Sequence, residues 1–522
     1  MFLRFWWEVS LERCAFADGP LLEKWFPYNK GGEFRRWYGN RENTVNWSFD
    51  GVEIKSRLSW DKKKPTIRNS RHFFQQGFTW TTVSSSGISA RFTPTGAMFD
   101  NGGCTLFCDG SSDLHAVAAL LNSKVAQRYL DFLSPTLNFQ PGDVGKILYR
   151  PTGSAPATQS LIGIGRDDWD SYERSWDFQS LPILTVSTDP TPTLESSYTA
   201  WTRRNQCITA EMKQLEEDNN RLFIDAYGLA DELTPDVPPE QITLTVNPAY
   251  RYPGTKKKPL TEEEQWIRFR QDTCEELVSY AIGCMMGRYS LDAPGLIYAH
   301  SGNEGFDPSQ YSTFPADDDG IVPLTDTEWF EDDACNRVVE FLSVAWPAEH
   351  LEANLRFLTD NLGPKKSESS LETLRRWLNT KFFKDHHLRR TKKRPIYWLF
   401  SSGKQKAFQC LVYVHRYNEG TLSRMRTEYV IPLQGRIASR IQQLTEDGEA
   451  ATSTAHRKRL ERDKTKLQKQ EIELIRFDEQ LRSAADLRIS LDLDDGVKVN
   501  YGKFGNLLAE AKKIHGKAPE AL

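Results

Sequence analysis

Trp25-Phe-Pro-Tyr-Asn-Lys-Gly-Gly-Glu-Phe-Arg-Arg-Trp-Tyr-Gly-Asn-Arg-Glu-Asn-Thr-Val-Asn-Trp47 sets Lys30, Arg35, Arg36 and Arg41 among Trp25, Phe26, Tyr28, Phe34, Trp37, Tyr38 and Trp47. Gly31-Gly32 and Gly39-Asn40 interrupt it with turns. Short aromatic and β-branched runs between such breaks predict strands, not helices. Basic side chains neutralise phosphates, while Tyr, Asn and Arg reach base edges or stack on them. Turns on a folded scaffold are where base contacts are expected. The candidate DNA contacts are therefore Lys30, Arg35, Arg36, Tyr38, Asn40 and Arg41 in this block. Lys62, Lys63, Lys64, Arg68, Asn69, Arg71 and Arg91 follow it.

The same texture runs over residues 1–150, which read as a strand-rich domain whose face either reads DNA or is a charged soluble surface over an ordinary aromatic core. One helix is predicted within it, from Asp113 to Leu133. There Leu114, Val117, Ala118, Leu121, Val125 and Leu130 recur at helical spacing, and Ser134-Pro135 stops them. Residues 151–200, rich in Pro, Thr and Ser, read as a connector holding one island, Asp167-Asp-Trp-Asp-Ser-Tyr-Glu-Arg-Ser-Trp-Asp-Phe178. Residues 201–430 read as mainly helical, with amphipathic stretches near 205–228, 261–288, 326–359 and 368–385. A strand is expected at 241–246, and a β-hairpin at 395–400 and 408–415. A helical hairpin is expected over 431–490, followed by a tail over 491–522. In the hairpin, Leu460, Leu467, Leu474 and Leu481 repeat every seven residues, but the complementary seam positions Arg457, Lys464, Glu471 and Asp478 are charged. That narrow stripe suits antiparallel pairing with Ile437, Ile441 and Leu444 through a turn at Glu446–Glu449, not a parallel zipper. The fold class is α+β.

Charged residues make up 26% of the 522 and hydrophobic ones 39%, the balance of a soluble globular chain with room for about three domains. A formal net charge of -4 excludes a generic polycation. The charge is segregated: residues 361–410 hold 13 Lys/Arg against 3 Asp/Glu, and residues 301–335 hold 10 Asp/Glu and no Lys/Arg. Such blocks make local fields that the mean conceals. The eight Cys are scattered without a CxxC pair, which fits a reducing cytoplasm. No apolar run reaches membrane-spanning length, and Arg4 and Glu8 break the opening MFLRFWWEVS as a secretory signal.

Several motifs imitate catalytic sites. Asn247-Pro-Ala-Tyr250 is close to the Asn-Pro-Pro-Tyr box that grips a flipped adenine, but Ala replaces the second Pro. Gly163-Ile-Gly165 could be a cofactor glycine turn, yet no βαβ pattern surrounds it. Asp317-Asp-Asp319 lacks metal-loop spacing and reads as an acidic loop capping the next helix. Cys104, Cys108 and His115 have no recognised zinc spacing. His386-His387, among Arg389, Arg390, Lys392, Lys393 and Arg394, reads as a solvated or phosphate-facing basic patch. No catalytic and no metal residue is expected in this chain.

The residues also carry a resemblance. Besides the block 25–47, it rests on Phe74-Gln-Gln-Gly-Phe-Thr-Trp80, Phe92-Thr-Pro-Thr-Gly96, Leu120-Leu-Asn-Ser-Lys-Val-Ala126 and Pro135-Thr-Leu-Asn-Phe-Gln140. It continues in Asp167–Phe178, Gly287-Arg-Tyr-Ser-Leu291, Lys393-Arg-Pro-Ile-Tyr-Trp-Leu-Phe400, His415-Arg-Tyr417 and Leu491–Tyr501. In these stretches the chain resembles PglX, the adenine-specific DNA methyltransferase of BREX phage-defence systems. The pattern in 74–140 also resembles the target-recognition domains of restriction specificity subunits. The resemblance implies a target-recognition and scaffold part of an enzyme that methylates adenine N6 with S-adenosylmethionine. The cofactor fold and the Asn-Pro-Pro-Tyr box of that family lie upstream of the matching segments. This chain alone is therefore expected to bind no cofactor and to be inactive by itself. Expected partners are double-stranded DNA and an N-terminal methyltransferase half or other BREX components, with no membrane. The alternative is a stand-alone DNA specificity or interaction subunit that recruits a separate methyltransferase.

Overall fold

A computed structural model describes residues 2–16, 23–58, 65–108, 111–255 and 257–517. The chain divides into two compact units. One comprises Met1–Trp6, Glu12–Ser187 and Ser196–Arg270, and the other Trp7–Leu11, Thr188–Glu195 and Gln271–Leu522. Small sheets and many helices make the architecture α+β.

Residues 3–106 of the first unit supply two of its sheets. Strands β1 (Leu3–Phe5), β2 (Trp25–Asn29), β3 (Asn43–Asn46) and β6 (Met98–Phe99) form one sheet in the order β1-β3-β2-β6. The other has β4 (Gly77–Thr81) between β5 (Ala90–Thr93) and β7 (Gly103–Leu106), all antiparallel. The opening block thus supplies β2 and β3 on either side of the loop that carries its basic residues. Phe78 and Trp80 of β4 are buried with Ile88, Ala118, Leu121 and Leu130. Aromatic and aliphatic side chains from strand and helix share one core, whose burial drives this packing.

The helix expected over 113–133 is two, α1 (Ser111–Leu121) and α2 (Lys124–Leu133). Asn122-Ser123 makes the break. The Ser123 hydroxyl accepts from Ala126 N and so caps α2. The Asn122 side chain, 6% exposed, accepts from Ala90 N at 2.8 Å and donates to Ala90 O at 3.0 Å. Helical periodicity survives across the break, which is why the sequence reads as continuous. The Leu-Asn-Ser triplet is a joint between helix and sheet.

The stretch expected as a connector contains helix α3 (Ala155–Asp170), and α4 (Leu194–Tyr227) begins before position 200. No strand forms at 241–246. The segment passes through a 3-10 turn at Pro239–Gln241, and the buried Thr245 and Val246 give their backbone N–H groups to Asp168. A carboxylate satisfies donors that a neighbouring strand would otherwise take.

In the second unit, β8 (Ile321–Pro323), β9 (Tyr397–Ser401) and β10 (Gln409–Tyr413) form a sheet in the order β8-β10-β9; the last two are the expected β-hairpin. Helices α5 (Glu262–Met285), α6 (Ala334–Ala345), α7 (Leu351–Asn361) and α8 (Ser370–Trp377) occupy the predicted helical stretches, and α8 continues as a π-helical segment, Leu378–His387. The helical hairpin is α9 (Ile431–Ala450) and α10 (Thr454–Asp486). Ile437, Leu444, Leu474 and Leu481 are buried in it. The turn falls at 451–453, beyond the expected Glu446–Glu449, which stays helical. Among the described residues no helix is long and apolar enough to cross a membrane.

Asn122→Ala removes the only side chain that answers Ala90 N, while Ala90 O keeps Trp37 N as a donor at 2.9 Å. One orphaned buried N–H costs about 1–3 kcal/mol. The urea midpoint should fall by the corresponding amount with an unchanged m-value. A midpoint equal to that of the parent chain would show that the joint contributes nothing.

Candidate nucleic-acid interface

Arg35 lies within the loop between β2 and β3 and turns inward. It is 3% exposed. Its Nε donates to Tyr38 O at 2.8 Å, its Nη1 to Thr245 Oγ1 at 2.9 Å, and its Nη2 to the Asp168 carboxylate. The guanidinium also lies 5.2 Å from the Trp169 ring centre, and Arg174 lies 4.0 Å from the same ring. A Cβ at Gly39, where φ is +121°, would come within 2.5 Å of Arg35 Nε and 2.7 Å of Trp169, so only glycine closes this loop. Arg91 is buried as well. Its Nη1 donates to Arg35 O, and burial beside the Arg35 charge lowers its pKa to about 10.

Arg35, Tyr38 and Arg91, expected to contact DNA, are thus interior groups. Tyr38 is 2% exposed, belongs to the β4–α1 core and accepts a hydrogen bond from Arg41 at its hydroxyl. Arg36 is half-buried and pairs with Glu216 at 2.7 Å; the other oxygen of that carboxylate accepts from Trp37 Nε1 at 2.7 Å. Arg41 is half-buried over the Trp176 ring at 4.7 Å. Asn40 adopts φ of 57° and donates to Glu33 O, closing the loop on itself. The mixture of basic and aromatic residues is therefore largely an internal charge network. Arg35, Arg36 and Arg91 each have carboxylate or carbonyl partners, as burial of charge requires.

Four candidates are exposed: Lys30, Arg68, Asn69 and Arg71. Lys62, Lys63 and Lys64 lie outside the described residues. Lys30 follows β2, beside a turn in which a Gly31 Cβ would meet Gly102 O at 2.5 Å. Asn69 has φ of 55° and starts the 3-10 turn Ser70–His72. Next to that turn, Phe73 packs edge-on against Trp47 at 5.5 Å and Phe99 at 5.3 Å, and His72 stacks on Phe107 at 5.0 Å. Phe99 in turn pairs with Asn29, the residue before Lys30. One aromatic cluster thus carries both exposed basic turns.

The sequence reading missed three residues of this surface. His72 is half-buried on Phe107, and Gln75 bonds to it at 3.2 Å. Phe49 is 88% exposed and begins three successive left-handed residues, Phe49, Asp50 and Gly51. The conformation costs roughly 1–2 kcal/mol for a residue with a side chain. Bonds from Ser48 N and Oγ to Asn46 Oδ1 and from Gly51 N to Trp47 O hold the segment. Only the Asp50-Gly51 pair hinted at a turn here.

The imitation motifs fold otherwise. Gly163 and Gly165 lie inside α3, and Gly165 lets the helix approach Tyr38. Asn247 spends its side chain on Pro239 O, Ile242 O and Ala249 N, and Tyr250 donates to Phe34 O at 2.6 Å. Neither segment offers the free backbone or amide that S-adenosylmethionine or a flipped adenine needs. Among the described residues no cluster of three His, Cys, Asp or Glu is arranged for a metal. The Asp317 carboxylate accepts from the N–H groups of Asp319, Gly320 and Ile321 and leads into β8, so it caps a strand entry, not the expected helix. His386 and His387 are buried, not solvated. His387 Nε2 accepts from Ile396 N and Tyr397 N at 3.2 Å, and burial lowers both histidines' pKa values. Arg389 and Arg390 pair with Asp272, Glu275 and Glu276, so part of the basic excess of 361–410 is already neutralised.

Over its full length the chain is 45% identical to the adenine-specific methyltransferase BrxX of Escherichia coli O9:H4 (strain HS). Over 96% of its length it is 37% identical to the adenine-specific methyltransferase PglX of Lacticaseibacillus casei (strain Zhang). The chain is homologous to the adenine-specific methyltransferases of BREX systems. It spans 43% and 41% of the length of these two relatives. No family model matches it.

Removing Arg35 leaves Asp168 buried without its counter-charge, a loss of about 3–5 kcal/mol. Arg35→Ala should unfold far below the parent temperature, whereas Arg71→Ala should stay within about 0.5 kcal/mol of it. Calorimetric melting of both variants distinguishes an interior from a surface role. Asp170 gives a pH signature. Burial beside Asp177 raises its pKa to about 6, although Ser175 Oγ donates to it at 2.6 Å. The folded chain then holds this proton to higher pH than the unfolded chain. Its contribution to stability is present below about pH 4 and is lost as pH rises through about 6. Asp170→Asn should flatten the stability profile in that window; an unchanged slope on denaturant titration would place the proton elsewhere.

Proposed function

We propose that this chain is the DNA-recognition and scaffold part of a BREX adenine-N6 DNA methyltransferase. The observation that carries the reading is full-length homology to less than half of two adenine-specific methyltransferases. The exposed turns at Lys30 and Arg68–Arg71 over an aromatic cluster support it. So does the absence of an open adenine-gripping box at Asn247–Tyr250. In the complete enzyme, the methyl group of S-adenosylmethionine passes to N6 of one adenine in a short asymmetric site and marks self DNA. The partners are duplex DNA and an N-terminal methyltransferase half or other BREX components.

The residues of this chain act by position. Lys30, Arg68 and Arg71 engage phosphates and set register, which carries no sequence information by itself. Asn69, His72 and Gln75, on the same turn, present donors and acceptors suited to base edges. Phe49 is an exposed ring on a backbone fixed by its neighbours, suited to stacking. Arg35, Arg36 and Arg41 hold the loop that frames them. An adenine extruded for methylation needs the duplex clamped while it occupies the catalytic pocket, so recognition and catalytic parts must hold one DNA segment together.

Replacing Lys30, Arg68 and Arg71 together by Ala should weaken binding to unrelated duplexes alike and reduce the salt slope by about 0.9 per lost contact. Changing Asn69 or Gln75 should alter preference among sequences, with about 1–3 kcal/mol at the affected base pair. Fluorescence titration over a salt series reads both. The reading as a whole is tested by coexpression with a matching family N-terminal half. Copurification and site-specific adenine methylation, read by long-read sequencing, are expected. A monodisperse chain that joins no such half would overturn it in favour of a separate specificity subunit.

A further inference from the structure

Helix α10 carries two stripes on opposite faces. Leu460, Leu467, Leu474 and Leu481 form the inner one; Leu474 and Leu481 are fully buried. At 100° per residue, Lys458, Arg462, Lys469 and Arg476 fall on the opposite side, close to one line. All four are exposed. The row runs about 27 Å along the helix at 1.5 Å per residue.

Nothing in the fold uses these four charges. Among the described residues no carboxylate lies within salt-bridge distance of Lys458, Lys469 or Arg476. Arg462 has only its exposed neighbour Asp463 at 3.8 Å. Lys466, off the line, behaves differently and pairs with Asp326 at 2.6 Å. Glu473 is the acidic residue nearest the line. It is spent on Ser402 Oγ at 2.8 Å and Gln405 N at 2.6 Å. A helix that needs only solubility alternates its charges, because opposite signs four apart stabilise it and like signs oppose it. Lys458 and Arg462 are like charges at that spacing. Lys469 and Arg476 also border a recess of about 410 Å³, lined in addition by Ile472, Phe477 and the Glu473 carboxylate, so it is the exposed row and not this recess that marks the stripe.

We propose that this stripe is a phosphate-binding rail, by which the helical hairpin grips duplex DNA without regard to sequence. A straight row of cations suits a straight polyanion, and duplex DNA offers one charge per roughly 1.7 Å of its axis. The choice of DNA over an acidic protein rests on the recognition reading above; the stripe itself rests on the geometry of α10 alone. A row of cations that follows the phosphates fixes position and carries no sequence information by itself, so the contact adds affinity and leaves preference to the other unit.

The test is a salt titration of the full chain with two unrelated labelled duplexes longer than the hairpin. The variant combines Lys458→Gln, Arg462→Gln, Lys469→Gln and Arg476→Gln. The magnitude of the log–log salt slope should fall by up to about 3.6, at 0.9 per phosphate contact, and equally for both duplexes. A charge-keeping variant, Lys458→Arg with Arg462→Lys, Lys469→Arg and Arg476→Lys, should keep the parent slope and guards against misfolding. Parent-like slopes in the Gln variant would overturn the rail while leaving the recognition reading intact. No duplex binding by the parent chain would overturn both. Unchanged duplex binding with lost retention on polyglutamate would give the stripe to an acidic protein instead.

Discussion

The carboxylate of Asp168 is the constraint on which the first unit turns. It accepts from Arg35 Nη2 and from the backbone N–H groups of Thr245 and Val246. Three segments far apart in sequence, the aromatic loop, the end of α3 and the irregular 242–247 stretch, meet at one buried anion. Each is expensive to leave unpaired in a low-dielectric interior, so each holds the others. Trp169, the next residue, stacks between Arg35 and Arg174, and burial beside the Arg35 charge lowers the Arg174 pKa. The loop above this network is therefore held firmly from beneath.

Some of this was readable in advance, and the reasons are specific. The β-hairpin at 397–413 and the two long helices of 431–486 follow period-2 and period-7 patterns that depend only on local residues. Strands in the first unit were legible through Gly and Asn punctuation. What sequence could not show was partner choice. Thr243 and Thr245 alternate with Ile242, Leu244 and Val246 like a strand, but the backbone N–H groups of Thr245 and Val246 are answered by Asp168, far earlier in the chain. The unbroken stripe from Leu114 to Leu130 hid the Asn122 joint, because helix periodicity continues in phase across it.

The site shows the same limit more sharply. Arg and aromatic residues in one block suit either a DNA surface or a buried network of guanidinium, carboxylate and ring, and composition does not separate these. The observed division follows from supply of counter-charge. Arg35 and Arg36 find Asp168 and Glu216 within reach and go inward; Lys30, Arg68 and Arg71 have no such carboxylate on the described chain and stay out. Phe49 escaped notice because its exposure comes from a left-handed turn, a backbone property that a single sequence signals only through Asp50-Gly51.

Charge counting along the chain is misleading for a related reason. The block 361–410 has the largest basic excess, yet Arg375, Arg376, Arg389, Arg390 and Arg394 are answered by Asp333, Glu368, the Asp272–Glu276 face and Glu8. Such pairs leave only a weak, screened field outside the molecule. In α10 the excess is smaller, but four cations share one face, and no acid on that face answers them. A polyanion responds to the field at the surface it meets, not to the sum over a segment. A chain with a net charge of -4 can therefore present both a positive reading surface and a positive rail. Some of its acids, Asp168, Glu216, Asp333 and Glu8 among them, are spent on the arginines that build the scaffold.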